Sequence, residues 1–361
     1  MVVTKVGIIG CGNISRAYAR AAEKLAAIDI VTCADLSMDA ATRLAEEFGY
    51  RAQTIDELLS DPEVEIVINL TIPQAHAEVN RAAMKAGKHV HCEKPFALTR
   101  EDGREVLSMA ARKNLYIGSA PDTFLGGGLQ TCRKLIDDGA LGRVTSGTAV
   151  MACPGHEHWH PNPGFYYQRG GGPMLDMGPY YITALVHLLG PVRRVTALGG
   201  KAHAQRTATS EGAKGQVLPV EINTHITGVI EFTNGALITI IMSFDTIKHT
   251  NHNIELHGTE GSLSVPDPNH FGGEVKLFKR GFDDWQIQEL THGQTENMRS
   301  IGVADMALAI RDKRDNRCSG RTAYHVLDVM LAFEESTKEG RAIEIESTCV
   351  QPAAVVDGEF D

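Results

Sequence analysis

The first third of the chain alternates short apolar runs with helical stretches, and this alternation does most to restrict the possible folds. The runs are KVGIIG (5–10), IDIVTCAD (28–35), EIVINL (65–70), KHVHCE (88–93) and LYIGSA (115–120). Helical spacing extends from a glycine turn to Leu25, over 37–48 up to Gly49, from Gln74 to Lys85 before Gly87, and from Thr99, a candidate N-cap, to Arg112. Strands separated by helices of this length predict a parallel sheet covered on both faces. After Pro121 the rhythm changes. Helices are predicted over 126–138 and 173–189, mostly strands from about 192 to 290, and helices again over 297–313 and 321–339. Asn234-Gly235 between apolar runs marks a hairpin, and 202–216 reads as a long loop. The expected layout is an α/β unit over 1–121 and an α+β unit on an antiparallel sheet over 122–361.

Bulk properties narrow the class of partner. A length of 361 residues favours two domains, and 43% hydrophobic with 22% charged residues is a globular balance. A formal charge of −10 without a basic run argues against nucleic acid or an anionic membrane as partner. No apolar stretch reaches the ~18–20 residues of a membrane helix, and MVVTKVGIIG lacks a signal-peptide layout, so a cytoplasmic location is expected. The seven scattered cysteines contain no CxxC pair and read as reduced thiols.

With so acidic a surface, any bound phosphate must be held by backbone N–H groups. GIIGCGNISRAY supplies the place, with Gly10 and Gly12 between a predicted strand and a helix, and Ser15 where a third glycine often sits. Glycine permits the tight turn and close approach to a pyrophosphate, while the helix aims its free N–H groups at the charge. Asp35 ends the second strand at the spacing expected for a ribose-hydroxyl acceptor. Leu36 and Ser37 follow, with no arginine to pair a 2′-phosphate, which favours NAD over NADP.

Together with EKPFAL (93–98), these features resemble the Gfo/Idh/MocA family of oxidoreductases (glucose–fructose oxidoreductase, inositol dehydrogenase and their relatives). The resemblance runs through TIPQAHAE (71–78), GGGPMLDMGPYYITAL (170–185), FTNGAL (232–237) and ELHGTEGSLSVPDP (255–268). It implies a Rossmann domain followed by an α+β domain with a large open, mostly antiparallel sheet, whose face often makes homo-dimers or homo-tetramers. It implies cofactor contacts from Gly10, Gly12, Asn13, Ile14, Asp35, Thr71, Pro73, His76, Glu93 and Lys94. Lys94 is expected to project between nicotinamide and substrate, followed by a cis Pro95. A lysine there can donate to the oxygen being oxidised and favour its alkoxide character.

The family's usual D-x-G-x-H reads here Asp176-Met177-Gly178-Pro179-Tyr180, with tyrosine in place of histidine. Some branches of the family use a tyrosine for proton transfer, and Lys94 is the cation that could lower its pKa. Asp176 and Tyr180 at a spacing of four share a helix face. Tyr181 is adjacent and could be confused with Tyr180. Asp122, Thr123 and Phe124 are expected at the sugar, with Gly126, Gly127 and Gly128 letting a helix start close to a ligand.

In GHEHWHP, His156, His158 and His160 alternate, so an extended segment would align them. Aligned imidazoles could bind a metal or line a polar pocket, with Trp159 and Tyr166 stacking on a sugar. Pocket lining without an obligatory metal is expected, and Glu157 is a further acid/base or ligand candidate. The resulting expectation is an NAD-dependent dehydrogenase acting on a secondary hydroxyl of a sugar, glycoside or polyol, with the third carbon of a pyranose as a candidate position. Two rivals are an NAD-dependent glycosidase or lyase using transient oxidation, and a non-catalytic NAD-binding sensor.

Overall fold

The computed structural model describes residues 3–360. Six strands form the first sheet: β1 (Thr4–Ile9), β2 (Ile28–Ala34), β3 (Arg51–Gln53), β4 (Ile66–Asn69), β5 (His89–Cys92) and β6 (Ile117–Ser119). Every pair in it is parallel, in the order β3-β2-β1-β4-β5-β6. The connecting helices are α1 (Ser15–Ala22), α2 (Met38–Phe48), α3 (Ile55–Ser60), α4 (His76–Lys85) and α5 (Arg100–Lys113). Local chemistry sets their ends. The Ser37 side chain caps α2 and Gly49 closes it at φ +76°, while Thr99 caps α5. The short β3 and α3 lie in a stretch the sequence pattern left unassigned, although Thr54 and Glu57 form a capping box there. Strand order reverses on either side of β1, which opens a crevice at the carboxyl ends of β1 and β4.

The second unit contains α6 (Gly127–Asp137), β7 (Val144–Ala152), α7 (Gly172–Leu189), β8 (Val192–Gly200), β9 (Gln205–Thr207), β10 (Val217–Pro219), β11 (His225–Phe232) and β12 (Leu237–Ser243). It continues with β13 (Ile254–Gly258), β14 (Gly261–Val265), β15 (Val275–Lys279), β16 (Gln286–Gln288), α8 (Ile301–Asp312), α9 (Gly320–Glu339) and β17 (Ile343–Glu344). Nine strands make one sheet, β16-β15-β14-β13-β7-β12-β11-β8-β17. It is antiparallel except where β7 runs parallel to β12. The sequence pattern missed β7, and 202–216 is not simply a loop, because β9 in it pairs with β10.

Register sorts the large sheet into two faces. Ala197, Gly228, Ile240, Ala149 and Ile254 form a row on the inner face, which α7 and α9 cover. The opposite face carries the rows Leu198–Thr227–Ile241–Val150 and Thr196–Val229–Thr239–Thr148, with Leu198 70% and Leu237 49% exposed. The two units are sewn together by the returning chain. Ser119 N–H donates to Cys318 O at 3.0 Å, and the Tyr116 hydroxyl donates to Arg314 O at 3.1 Å. No helix among the described residues is long and apolar enough to cross a membrane.

Candidate active site

The turn after β1 is shaped for close approach on one side and left open on the other. Gly10 has φ +103°, and a Cβ there would stand 2.6 Å from the Leu70 carbonyl carbon. A Cβ on Gly12 would meet nothing within 4 Å, so the backbone before α1 is accessible to a ligand. Asn13 and Ile14 lead into α1, where the buried Ser15 hydroxyl donates to Gly12 O at 2.6 Å. Asp35 ties this turn to β2, with Oδ2 accepting from Cys11 N–H at 2.7 Å and Oδ1 from Ser37 N–H at 2.9 Å. This open, N–H-lined cradle fits a dinucleotide pyrophosphate, with Asp35 beside the ribose position.

Two cofactor contacts implied by the resemblance take a different place. His76 is 1% exposed, and both ring nitrogens face carbonyl oxygens, Nδ1 that of Pro95 at 2.7 Å and Nε2 that of Thr71 at 2.9 Å. It braces the loops behind the crevice. Burial depresses its pKa, so the neutral ring can donate to one of these carbonyls. Glu93 is also buried, with Oε1 accepting from Tyr18 at 2.8 Å and Oε2 from the Lys94 N–H at 2.8 Å. Thr71 donates its hydroxyl to Asn69 Oδ1 at 2.7 Å, and Pro73 opens a 3₁₀ turn before α4.

The Lys94–Pro95 peptide is cis, and Lys94 reaches across to α7. Its Nζ donates to Asp176 Oδ1 at 2.8 Å and to Asp176 O at 2.9 Å. The other carboxylate oxygen lies 3.2 Å from His156 Nε2. Trp159 Nε1–H donates to His156 Nδ1 at 3.2 Å, which leaves Nε2 as the nitrogen that carries hydrogen toward Asp176. Burial alone would raise the Asp176 pKa, but the Lys94 charge and the His156 hydrogen bond outweigh it and hold the group at about 2. Burial likewise works against charged Lys94, yet Asp176, Tyr180 and Glu93 push its pKa up. The pair is ionised at neutral pH.

Tyr180 sits one turn further along α7, its ring centroid 5.4 Å from Lys94 Nζ. Its hydroxyl accepts from Arg299 Nη2 at 3.4 Å. Lys94 acts on this phenol in the expected direction, but its surroundings outweigh it. Burial raises the pKa, and Lys94 and Arg299 only moderate the rise. Tyr181 is no competitor, because its hydroxyl accepts from Asn253 at 2.8 Å on the sheet side.

The histidine cluster does not align. Residues 156–160 form a turn, with the His160 N–H donating to His156 O at 3.0 Å, so strand alternation does not apply. His156 faces Asp176 and His160 packs edge-on against Tyr166, while His158 and Trp159 are exposed. Glu157 is an anchor and not an acid/base group. It accepts from Arg206 Nη1 at 2.6 Å and from the Tyr167 hydroxyl. Arg206, on β9, also binds Asp245 and Phe244 O and clamps the loop from below. No motif around Arg206 marks it in the sequence.

Asp122, Thr123 and Phe124 are corrected as sugar contacts. All three are buried, and Asp122 Oδ2 accepts from Ser300 and Gly302 N–H, each at 3.1 Å. Thr123 donates to Pro268 O at 2.6 Å, and Phe124 packs on His187. The glycines after them approach protein backbone closely. A Cβ on Gly126 would stand 2.4 Å from Phe271 O, and one on Gly127 would stand 2.4 Å from His292 O.

Comparison with known proteins shows the family. The family described as "Oxidoreductase family, NAD-binding Rossmann fold" matches residues 4–119, which makes the chain an NAD-binding Rossmann oxidoreductase. The "GFO/IDH/MocA C-terminal domain" matches residues 129–264, and with both halves matched the chain belongs to the Gfo/Idh/MocA family. A 1,5-anhydro-D-fructose reductase of Ensifer adhaerens is 28% identical over 94% of this chain and 98% of its own length. A levoglucosan dehydrogenase of Pseudarthrobacter phenanthrenivorans is 27% identical over 72% of each chain. Among solved structures, levoglucosan dehydrogenase in complex with NADH and L-sorbose superposes with a TM-score of 0.82 at 23% identity, over 95% of this chain and 99% of that one.

Proposed function

We propose that this oxidoreductase acts on a secondary hydroxyl of a sugar, glycoside or polyol, with a pyranose oxidised at its third carbon as the leading case. The observation that carries the proposal is the Lys94–Asp176 pair, held between the cofactor crevice and Tyr180. Relatives named for levoglucosan, anhydrofructose and inositol support the substrate class. Gly10, Gly12, Asn13, Ile14 and Asp35 would hold the dinucleotide, and bound NAD supplies the acceptor for a hydride from the carbinol carbon.

The chain's own groups manage the hydroxyl. Lys94, kept charged by Asp176, donates to the reacting oxygen and stabilises negative charge as it develops there. Asp176 aims the ammonium through two contacts and is itself steadied by His156. Tyr180 takes the hydroxyl proton in oxidation and returns it in reduction. Trp159 and Tyr166 border this space and offer ring surface to a sugar. Thr71 and Pro73 border the cofactor side. The outer face of the nine-stranded sheet, with threonine and aliphatic rows at its centre and Leu198 and Leu237 exposed, supports a homo-dimer or homo-tetramer.

The test is turnover of a panel of free sugars, polyols and glycosides with NAD, following NADH absorbance and locating the new ketone by NMR. Stoichiometric NADH with a ring ketone is expected. Aglycone release without net NADH would favour transient oxidation and elimination, and no reaction with any member of the panel would sink the proposal.

A further inference from the structure

Arg299 is the charged group that neither the motifs nor the Lys94–Asp176 pair accounts for. Its Nη2 donates to the Tyr180 hydroxyl at 3.4 Å and to Asn269 Oδ1 at 3.0 Å, and its Nη1 donates to Asn297 Oδ1 at 3.4 Å. These acceptors are neutral, and the guanidinium charge acts on the phenol it faces as well as, without a hydrogen bond to either, on the buried carboxylates of Asp122 and Glu93.

The segment carrying Arg299 is tightly held. Ser300 has φ +120° and ψ −8°, a conformation that residues other than glycine seldom adopt. Such strain persists where the surroundings over-determine it. Here the Ser300 N–H donates to Asp122 Oδ2 at 3.1 Å, and its hydroxyl donates to Tyr18 O at 2.9 Å. The same Asp122 oxygen accepts from Gly302, where a Cβ would stand 2.7 Å from His91 Cε1. Tyr18 in turn donates to Glu93, which holds the Lys94 N–H. One continuous set of buried contacts therefore presents both cations to Tyr180, Lys94 at its ring and Arg299 at its hydroxyl.

We infer that Arg299 is a positioning residue for the proton transfer, fixing the Tyr180 oxygen and stabilising the phenolate that then receives the proton of the substrate hydroxyl. The inference rests on the proposed role of Tyr180. In that step the O–H proton passes to the phenolate oxygen, which becomes neutral phenol. The electron pair of the broken O–H bond closes the C=O bond, and the carbinol hydride leaves to NAD⁺. The groups facing Tyr180 are Lys94 and Glu93 from the turn after β5, Asp176 on its own helix, Arg299 from the segment before α8, and Tyr166 from the turn before α7. Lys94 and Arg299 favour the phenolate and Glu93 opposes it, while Asp176 is paired with Lys94.

The experiment compares the pH dependence of kcat/KM for the natural enzyme, Arg299→Gln, Arg299→Lys and Tyr180→Phe at saturating NAD. Ultraviolet difference titration of Arg299→Gln against Arg299→Gln/Tyr180→Phe, with NAD bound, follows the phenol without requiring turnover. Removing a facing cation should move the rising limb and the phenol titration upward by about one pH unit or more. Arg299→Lys should restore most of the shift, and Tyr180→Phe should abolish the limb. A lower rate in Arg299→Gln with limb and titration unmoved would reduce Arg299 to a structural residue and overturn the inference. Tyr180→Phe keeping the natural rate and limb is a separate failure, because it removes the role proposed for Tyr180 itself.

Discussion

Lys94 and Asp176 meet in a largely dry space, their side chains only 18% and 15% exposed, so neither charge could stand there without the other. Replacing Lys94 with Met should cut turnover by at least about 10³-fold, since it removes the proposed donor to the developing oxyanion. NAD affinity should change no more than a few-fold, because the cradle at Gly10 and Gly12 is untouched. Fluorescence titration and steady-state rates measure the two separately, and near-normal turnover would make Lys94 structural. As the proposed base, Tyr180 would set the pH dependence. Its raised pKa leaves a neutral phenol at neutral pH, so oxidation, which needs the phenolate, should speed up from about pH 7 to about pH 9. Reduction needs the phenol and should fall off on the alkaline side. An oxidation rate that drops across that interval would exclude Tyr180 as the base. Asp176 works in the opposite range. Its pKa is lowered from 3.8 to about 2, so its contribution to stability is present above the unfolded value and is lost as pH falls through the folded one.

At the scale of elements, the loop over Asp176 depends on a strand pair far from it in sequence. Arg206 on β9 is 7% exposed and is shared between Glu157 and Asp245, with exposures of 15% and 10%. Removing one member of a buried ion group leaves the others uncompensated, at a cost of about 3–5 kcal/mol. Arg206→Met should therefore lower stability in urea unfolding by roughly that amount and raise KM more than it lowers kcat. A loss under about 1 kcal/mol would mean that the clamp is slack. The Asp35 turn makes a second element-level prediction. Both carboxylate oxygens are already fixed by backbone N–H groups, so the charge cannot swing away from an added 2′-phosphate. NAD should bind more tightly than NADP in fluorescence titrations, and the reverse order would contradict this account of the turn.

For the whole molecule, the outer face of the nine-stranded sheet carries threonine and aliphatic rows at its centre, flanked by charged residues such as Arg194 and Glu231, and among the described residues it leaves Leu198 70% and Leu237 49% exposed. Sedimentation should find a dimer or tetramer, and Leu198→Asp combined with Leu237→Asp should shift it toward monomer. A natural protein that sediments as a monomer at micromolar concentration would leave that face unexplained. The two units also depend on each other. Asp122 begins the second unit, yet it holds the start of α8, which lies nearly two hundred residues later and packs on the first sheet.

What the sequence determined by itself was whatever is local in the chain. The alternation of apolar runs and helices, the Gly10–Gly12 turn, Asp35 and the Lys94-Pro95 strand end are read within a few residues, because backbone conformation and capping act over that range. That Asp176 and Tyr180 share one helix was legible for the same reason, while their choice as site candidates came from the family resemblance. The tertiary structure decided which polar groups face the site and which are consumed inside the protein. Asp122 and Glu157 carry site-like chemistry, but the partners that engage them, Ser300, Gly302 and Arg206, are distant in sequence. His156, His158 and His160 separated because 156–160 turns where an extended segment was expected, under the hold of Arg206 and Tyr167. Arg299 could not be found in advance, because nothing around it in sequence marks it, and only the packing of α8 against β6 and Asp122 brings it to Tyr180.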